Sequence, residues 1–352
     1  MSTAPPFSCS FSPQLPELLV RLKCSIAVST YQAGKIVFIS AKDAASLVQL
    51  PRTFNQAMGM AISGNKMAVA TKDEVIVLVD SPDLARSYPK RPNQYDALYV
   101  PRLTYYTGQV DIHDLHWGDQ GLWAVNTSFS CLALLTDEYS WIPKWQPPFI
   151  DKLASEDRCH LNGLAMRDGK PRYVTALGKG NTTQSWRREL TSGGVLMDVQ
   201  TNKIILDKLS MPHSPIYHNG LIYFLESAKG RLLACSPDKK TFDVVKNLHG
   251  FTRGMALVED YLFIGLSRLR QNSSTFSDLE MAKEATHAGI VVMHLPTRAI
   301  VGELKYHSSV EEIYDVQILK GRTRPGILNT VNPTHKSALS IPGATFWAQR
   351  SK

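Results

Sequence analysis

The chain has 352 residues, 43% hydrophobic and 20% charged, with 39 Lys and Arg against 31 Asp and Glu and a formal net charge of +8. That apolar content excludes general disorder, and no apolar run reaches the roughly 18 to 20 residues of a membrane helix. The positive charges are dispersed, concentrated only at Lys179–Arg188 and Arg268–Arg270, with no basic helical stripe or RNA-binding aromatic signature, so neither a nucleic-acid nor a membrane partner is expected.

The N-terminal Met1–Pro6 lacks the charged and apolar regions of a secretory signal, which makes the cytoplasm the expected location. The cysteines Cys9, Cys24, Cys131, Cys159 and Cys235 are odd in number and scattered, as reduced thiols are. Residues 1–24 read as an extension with a helix near Gln14–Lys23. Three strands follow at Ser25–Thr30, Lys35–Ser40 and Ser46–Leu50, rich in β-branched and aromatic residues.

From there a two-strand unit recurs. Met58–Ile62 leads to Lys66–Ala70, His113–Trp117 to Gly121–Asn126, and Asn162–Met166 to Pro171–Ala176. His213–Tyr217 leads to Gly220–Leu225, and Arg253–Leu257 to Tyr261–Gly265. The step of roughly 40 to 55 residues leaves room for four strands and their loops, as in a propeller blade. A second helix is expected over Phe276–Thr286. Glu312–Leu319 then looks like a first strand without its blade, and the three N-terminal strands lack a first strand. Joining them predicts an all-β, six-bladed propeller closed between the chain ends, which hides two sheet edges. Seven blades would result if Pro325–Thr330 opened a further blade. The propeller domain is placed at residues 25–330, with a tail at 331–352.

The blade pattern resembles six-bladed propellers of the lactonase, strictosidine-synthase and NHL kind. The segments Ser29–Lys35, Met58–Ala61, Gly121–Leu132, His160–Ala165, Met211–Pro215, Phe251–Ala256 and Glu312–Val316 are similar to those of a bacterial family of conserved hypothetical proteins without an assigned activity. The lactonase resemblance implies calcium held by Glu, Asn and Asp at the pore. Asn162 and Asp315 match such positions, but the other pore positions here are His or Arg, which makes calcium the less favoured ion.

Aligning the repeats places Met58, His113, Asn162, His213, Arg253 and Tyr314 at one level of the ring. Gly59, Asp114, Gly163, Ser214, Gly254 and Asp315 form the next level, with Asn55, Asp111, His160 and Glu312 slightly upstream. Polar side chains gathered at one axial mouth are costly unless they bind something. His113, His160 and His213 suit a divalent transition metal such as Zn, Fe or Mn, with Asp114 or Glu312 as a fourth ligand or general base. Arg253 can clamp a carboxylate or phosphate, with Arg268 nearby in sequence. The structural alternatives are histidines that cap strands and an Arg253 that bridges Asp315 or Glu312.

Asn126, Asn162, Tyr314 and Asp315 are candidate ligand contacts, although an Asn such as Asn126 more often closes a turn. Two insertions, Gly178–Arg188 with Trp186 as a stacking candidate, and Gln271–Ala288, are expected to wall the mouth. The function expected first is a metal-assisted enzyme, a hydrolase or lyase, acting on a small anionic or peptide-like substrate. The alternative is a non-catalytic propeller that binds a ligand or a partner protein. The oligomeric state is left open.

Overall fold

The computed structural model describes residues 4–269 and 279–348. Six four-stranded antiparallel units form blades around one axis, and two of them gain a fifth, outermost strand from a chain end. Blade 1 is Met60–Ser63, Lys66–Ala70, Glu74–Asp80 and Ala97–Tyr106; blade 2 is Ile112–Gly118, Gly121–Asn126, Cys131–Leu134 and Ile142–Trp145. Blade 3 is Leu161–Arg167, Lys170–Ala176, Gly194–Asp198 and Lys203–Leu209; blade 4 is Pro212–His218, Leu221–Glu226, Arg231–Cys235 and Asp243–Asn247. Blade 5 is Phe251–Val258, Tyr261–Ser267, Gly289–His294 and Ala299–Tyr306. In blade 6, Asp315–Lys320 joins Cys24–Thr30, Lys35–Ala41 and Leu47–Thr53. The first strand of each blade lies against the first strand of the next, and Asp315–Lys320 against Met60–Ser63, so these six surround the axis.

The closure is the one the sequence predicts, one C-terminal strand with three N-terminal ones, in register from Cys24↔Lys320 to Ser29↔Asp315. The seven-bladed alternative is overturned. Pro325–Ile327 adds instead as a parallel fifth strand outside Ala97–Tyr106 of blade 1. The expected helix at Phe276–Thr286 is also corrected: residues 276–278 lie outside the described residues, and the described part holds only a 3-10 turn, Glu280–Lys283. The N-terminal helix is present over Gln14–Leu22 and ends at Lys23 with a left-handed φ of 49°.

Local chemistry explains the blades. The second strands are buried on both faces, as Cys24–Thr30 is throughout, because each sheet packs on two neighbours. The outer strands are partly wet, as in Leu47–Thr53. Asp168-Gly169 (φ 52° and 72°) and Asn219-Gly220 (φ 47° and 82°) supply the two left-handed residues that a tight hairpin requires. Apolar clusters fill each junction between adjacent blades, for example Leu122 and Leu115 against Val77 between blades 2 and 1, and Phe224 against Tyr173 between blades 4 and 3. Leu15, Leu18, Leu19 and Leu22 carry the N-terminal helix into the cluster between blades 5 and 6, while Cys9–Phe11 pairs with the outer strand of blade 5.

Around the axis the junctions alternate in kind. Asp114 Oδ2 accepts the N–H of Leu164 at 2.9 Å, Ser214 Oγ that of Gly254 at 3.0 Å, and Asp315 Oδ2 that of Met60 at 2.8 Å. These bonds join blades 2 to 3, 4 to 5 and 6 to 1. At the other three junctions Gly59, Gly163 and Gly254 press against the next inner strand; a Cβ on Gly254 would lie 2.7 Å from Asp315 Cα, and one on Gly59 2.7 Å from Asp114 Cα. The ring therefore has an approximate threefold rhythm, with a polar side chain on the even blades and a glycine on the odd ones.

Candidate functional site

The level next to this ring carries the site. His113 and His160 meet edge to face with ring centroids 4.7 Å apart, and His113 lies 5.5 Å from the Tyr314 ring. The Arg253 guanidinium sits over Tyr314 with its carbon 3.5 Å from the ring centroid, and its Nη1 is 3.6 Å from Glu312 Oε1. Such stacking holds a guanidinium by its face and leaves its edge donors in the plane. Tyr31, from the N-terminal strand of blade 6, stacks on Tyr314 at 6.0 Å. His213 is close enough to feel the charges of Arg253 and His160, and its ring packs 6.4 Å from Phe251.

The tautomers follow from neighbouring hydroxyls. Thr127 Oγ1 donates to Leu161 O at 2.6 Å, so toward His113 Nδ1, 2.8 Å away, it can only accept, as does Asp111 O at 3.1 Å. Ser227 Oγ donates to Thr252 O at 2.6 Å and accepts from His213 Nδ1 at 2.9 Å, which also faces Met211 O at 3.0 Å. His160 Nδ1 donates to Asp157 Oδ2 at 2.9 Å. In all three a proton is placed on Nδ1, and at the buried His113 and His213 Nε2 keeps its lone pair.

Burial, reinforced by His160 and Arg253, holds His113 well below the usual imidazole range. Burial and then Arg253 do the same to His213. Burial raises Asp111, helped by the Asp157 charge, and burial also raises Tyr314 and Tyr31. The mouth thus holds imidazoles that resist protonation, one fixed cation, and carboxylates at Asp111, Asp157 and Glu312.

Several expected residues serve the architecture. Asp114 has Oδ1 on Leu115 N and Oδ2 on Leu164 N, both at 2.9 Å, with His116 Nε2 3.3 Å away. Asp315 bonds Met60 N, Val316 N and Gln317. Asn162 Oδ1 accepts from Thr175 Oγ1 at 2.7 Å, and Asn126 Oδ1 closes a turn on Phe129 N at 3.1 Å. The oxygens of Asn162 and Asp315 are therefore held by their own neighbours and not aimed jointly at one ion. Arg268 is exposed, with its backbone N–H on Glu311 O. Cys159 is fully buried, and burial pushes its thiol up to about 12, which makes it unreactive.

Trp186 is a buried wedge, not an open stacking platform. Its ring lies 4.3 Å from His160, and its Nε1 donates to Asp157 at 3.0 Å. It belongs to an apolar cluster with Met211, Phe251, Leu279, Met281 and Ala285, so the Trp186 insertion and the described part of the second one form a single wall behind His160 and His213. Residues 270–278 of that second insertion lie outside the described residues. Among the described residues, no group of three or more His, Cys, Asp and Glu is arranged to hold a metal ion as it stands. No helix among them is long and apolar enough to cross a membrane.

Sequence reasoning singled out neither Thr127 as the anchor of His113 nor Asp157 and Tyr31. Thr127 and Ser227 occupy the same place in the repeat, just after the second strand of blades 2 and 4, and that recurrence is a signal the sequence contains. Asp157 precedes His160 by a single turn of loop. Tyr31 stands at that same place in the repeat, just after the second strand of blade 6, and it belongs to the mouth through closure of the ring.

Residues 13–328 match the family described as a domain of unknown function, DUF4915, and the chain belongs to that family. No curated protein matches the sequence. Among solved structures, a chain in the crystal structure of a nidogen/laminin complex is similar with a TM-score of 0.48 and 8% identity, covering 85% of this chain and 99% of that one.

Proposed function

For this member of the DUF4915 family we propose that the axial mouth binds a small molecule bearing an acidic group beside N–H or O–H donors, as an amino acid, a peptide end or a hydroxy acid does. The carrying observation is the pairing of Arg253, laid flat on Tyr314, with imidazoles whose protons are turned away on Nδ1. Arg253 supplies the charged fork for the acid, and Nε2 of the buried His113 and His213 supply neutral acceptors for the donors. Glu312, 3.6 Å from Arg253, offers a carboxylate to a ligand ammonium or acts as a base. The test is calorimetric titration with amino acids, dipeptides and hydroxy acids against the parent, Arg253→Lys and Arg253→Ala. Lysine cannot reproduce a bidentate fork, so affinity falls at least about tenfold in both variants. Equal affinity in the parent and Arg253→Ala refutes the assignment.

A second reading is a metal-assisted enzyme on the same substrates, with Zn, Fe or Mn on the three Nε2 atoms. What favours it is the Nδ1 anchoring to carbonyls and a carboxylate, the usual second contact of metal-binding histidines. It requires the rings to turn toward a common point. Elemental mass spectrometry of untagged protein beside a His160→Ala, His213→Ala variant tests it. Near-stoichiometric metal that the folded variant loses supports the metal reading. A metal-free parent whose melting temperature ignores added metal removes it and leaves the Arg253 site standing.

A further inference from the structure

A second polar cavity lies on the side of the propeller, where the C-terminal addition reaches blade 1. A cavity of about 530 Å³ opens between the outer strand of blade 6, the residues 82–96 connection of blade 1, and the segment around Pro325–Ile327. That volume is in the range of small-molecule sites, about 300–1,000 Å³. Arg52, Lys90, Arg91 and Arg324 line it, and among the described residues no Asp or Glu does.

The nearby carboxylates are committed elsewhere. Asp80 accepts from Arg322 at 2.8 Å and from Leu98 N at 2.9 Å, and Asp96 accepts from Thr323 through both its N–H and its hydroxyl. Arg52 donates Nη1 to the carbonyl of Pro51, a neutral partner. Arg52 and Arg324 are half-buried, while Lys90 and Arg91 stand at the rim. Converging cations without a carboxylate repel one another, so the arrangement is favourable only when an anion joins it.

One further feature describes the rest of the ligand. Phe38, Leu50, Tyr95 and Leu328 give the cavity an apolar back wall.

We infer that this side cavity binds an organic phosphate carrying two or more negative charges, with its phosphates on Arg52, Arg324, Lys90 and Arg91 and its organic part against the apolar wall. Arginine forks match phosphate oxygens in pairs, and four positive charges match a multiply charged ligand better than a single carboxylate. Nucleotides and phosphorylated sugars share this chemistry. The site is independent of the axial mouth, since no lining residue belongs to that cluster.

The experiment is thermal-shift and calorimetric titration of the full chain with ADP, fructose 1,6-bisphosphate and pyrophosphate, each against sodium sulfate at equal ionic strength. Arg52→Gln with Arg324→Gln is the disrupting variant, and Arg253→Ala is the control at the axial mouth. The expected result is stabilisation by ADP or by the sugar bisphosphate beyond that of sulfate, weakened about tenfold or more in the double variant and kept in Arg253→Ala. Which of the two binds distinguishes a nucleotide from a sugar phosphate. If the double variant does not fold, Lys90→Ala with Arg91→Ala at the exposed rim carries the same comparison. No binding by any phosphate, or equal binding in parent and variants, overturns the site. Pyrophosphate as tight as the organic compounds overturns the role given to the apolar wall. Loss of binding in Arg253→Ala would move the site to the axial mouth.

Discussion

Asp315 Oδ2 accepts the backbone N–H of Met60 at 2.8 Å, across the seam where the C-terminal inner strand meets the first blade. The same atom receives Gln317 Nε2, while Oδ1 takes Val316 N at 2.7 Å, so one carboxyl joins residues from both ends of the propeller. Asp315→Ala leaves two buried N–H groups without an acceptor and is expected to lower unfolding stability by about 2 kcal/mol or more. Urea denaturation of parent and variant measures it. A midpoint unchanged from the parent would show that the seam is held by strand pairing alone.

The glycine junctions give a sharper contrast. Gly254 has φ 75°, and an added Cβ would lie 2.7 Å from Asp315 Cα, where only backbone can yield. Gly64 has φ 57° with nothing within 4 Å. Gly64→Ala therefore costs about 1 kcal/mol of backbone strain alone, whereas Gly254→Ala adds overpacking worth about 1–3 kcal/mol. Thermal melting of the two variants side by side should show the larger loss at Gly254, and equal losses would contradict close apposition of blades 5 and 6.

Thr127 couples blade 2 to blade 3 and sets the His113 tautomer in one hydroxyl. Thr127→Val keeps the shape, leaves Leu161 O short of a donor and costs about 1–2 kcal/mol. Thr127→Ser restores both bonds. Nitrogen NMR of the imidazoles should show the Nδ1–H form of His113 in the parent and Thr127→Ser, and a mixture in Thr127→Val. A pure Nδ1–H form in Thr127→Val would mean that Asp111 O is sufficient.

Two groups of residues tilt stability with pH in opposite directions. The folded imidazoles of His113 and His213 titrate below their ordinary 6.5, so the stability they contribute is present above pH 6.5 and is lost as pH falls beneath it. Burial and the Asp114 charge push Asp315 from 3.8 up to about 7, so its contribution is present at the acid end and is lost as pH rises through that window. Denaturation midpoints across pH should fall less on the acid side for His213→Gln than for the parent. Asp315→Asn should gain on the parent as pH rises toward 7. Parallel curves for parent and variants would remove the link between these groups and stability.

Much of the architecture is legible in the sequence, because blade repeats are local. Apolar alternation over four to seven residues, Asp-Gly and Asn-Gly turns, and the recurring Gly-Met-Ala or Gly-Leu-Ala core after Met58, Asn162 and Arg253 each depend on neighbours a few positions away. The same register places His113, His213, Arg253 and Tyr314 at one level, and the ring and charge contacts among them follow it.

The sequence by itself determined the blades, their order and the closing strand, since the alternation of buried and exposed side chains fixes which face each strand buries. Only the tertiary structure decided which of the gathered polar groups are held by neighbours and which face the mouth. Asp114 and Arg253 look equally available in the repeat, yet Asp114 has both oxygens on backbone N–H groups while Arg253 lies stacked on Tyr314. The end of Pro325–Ile327 on blade 1, the wedge made by Trp186 and the cation-lined side cavity likewise join residues far apart in the chain. Their partners are set by packing between blades, and no local pattern encodes that packing.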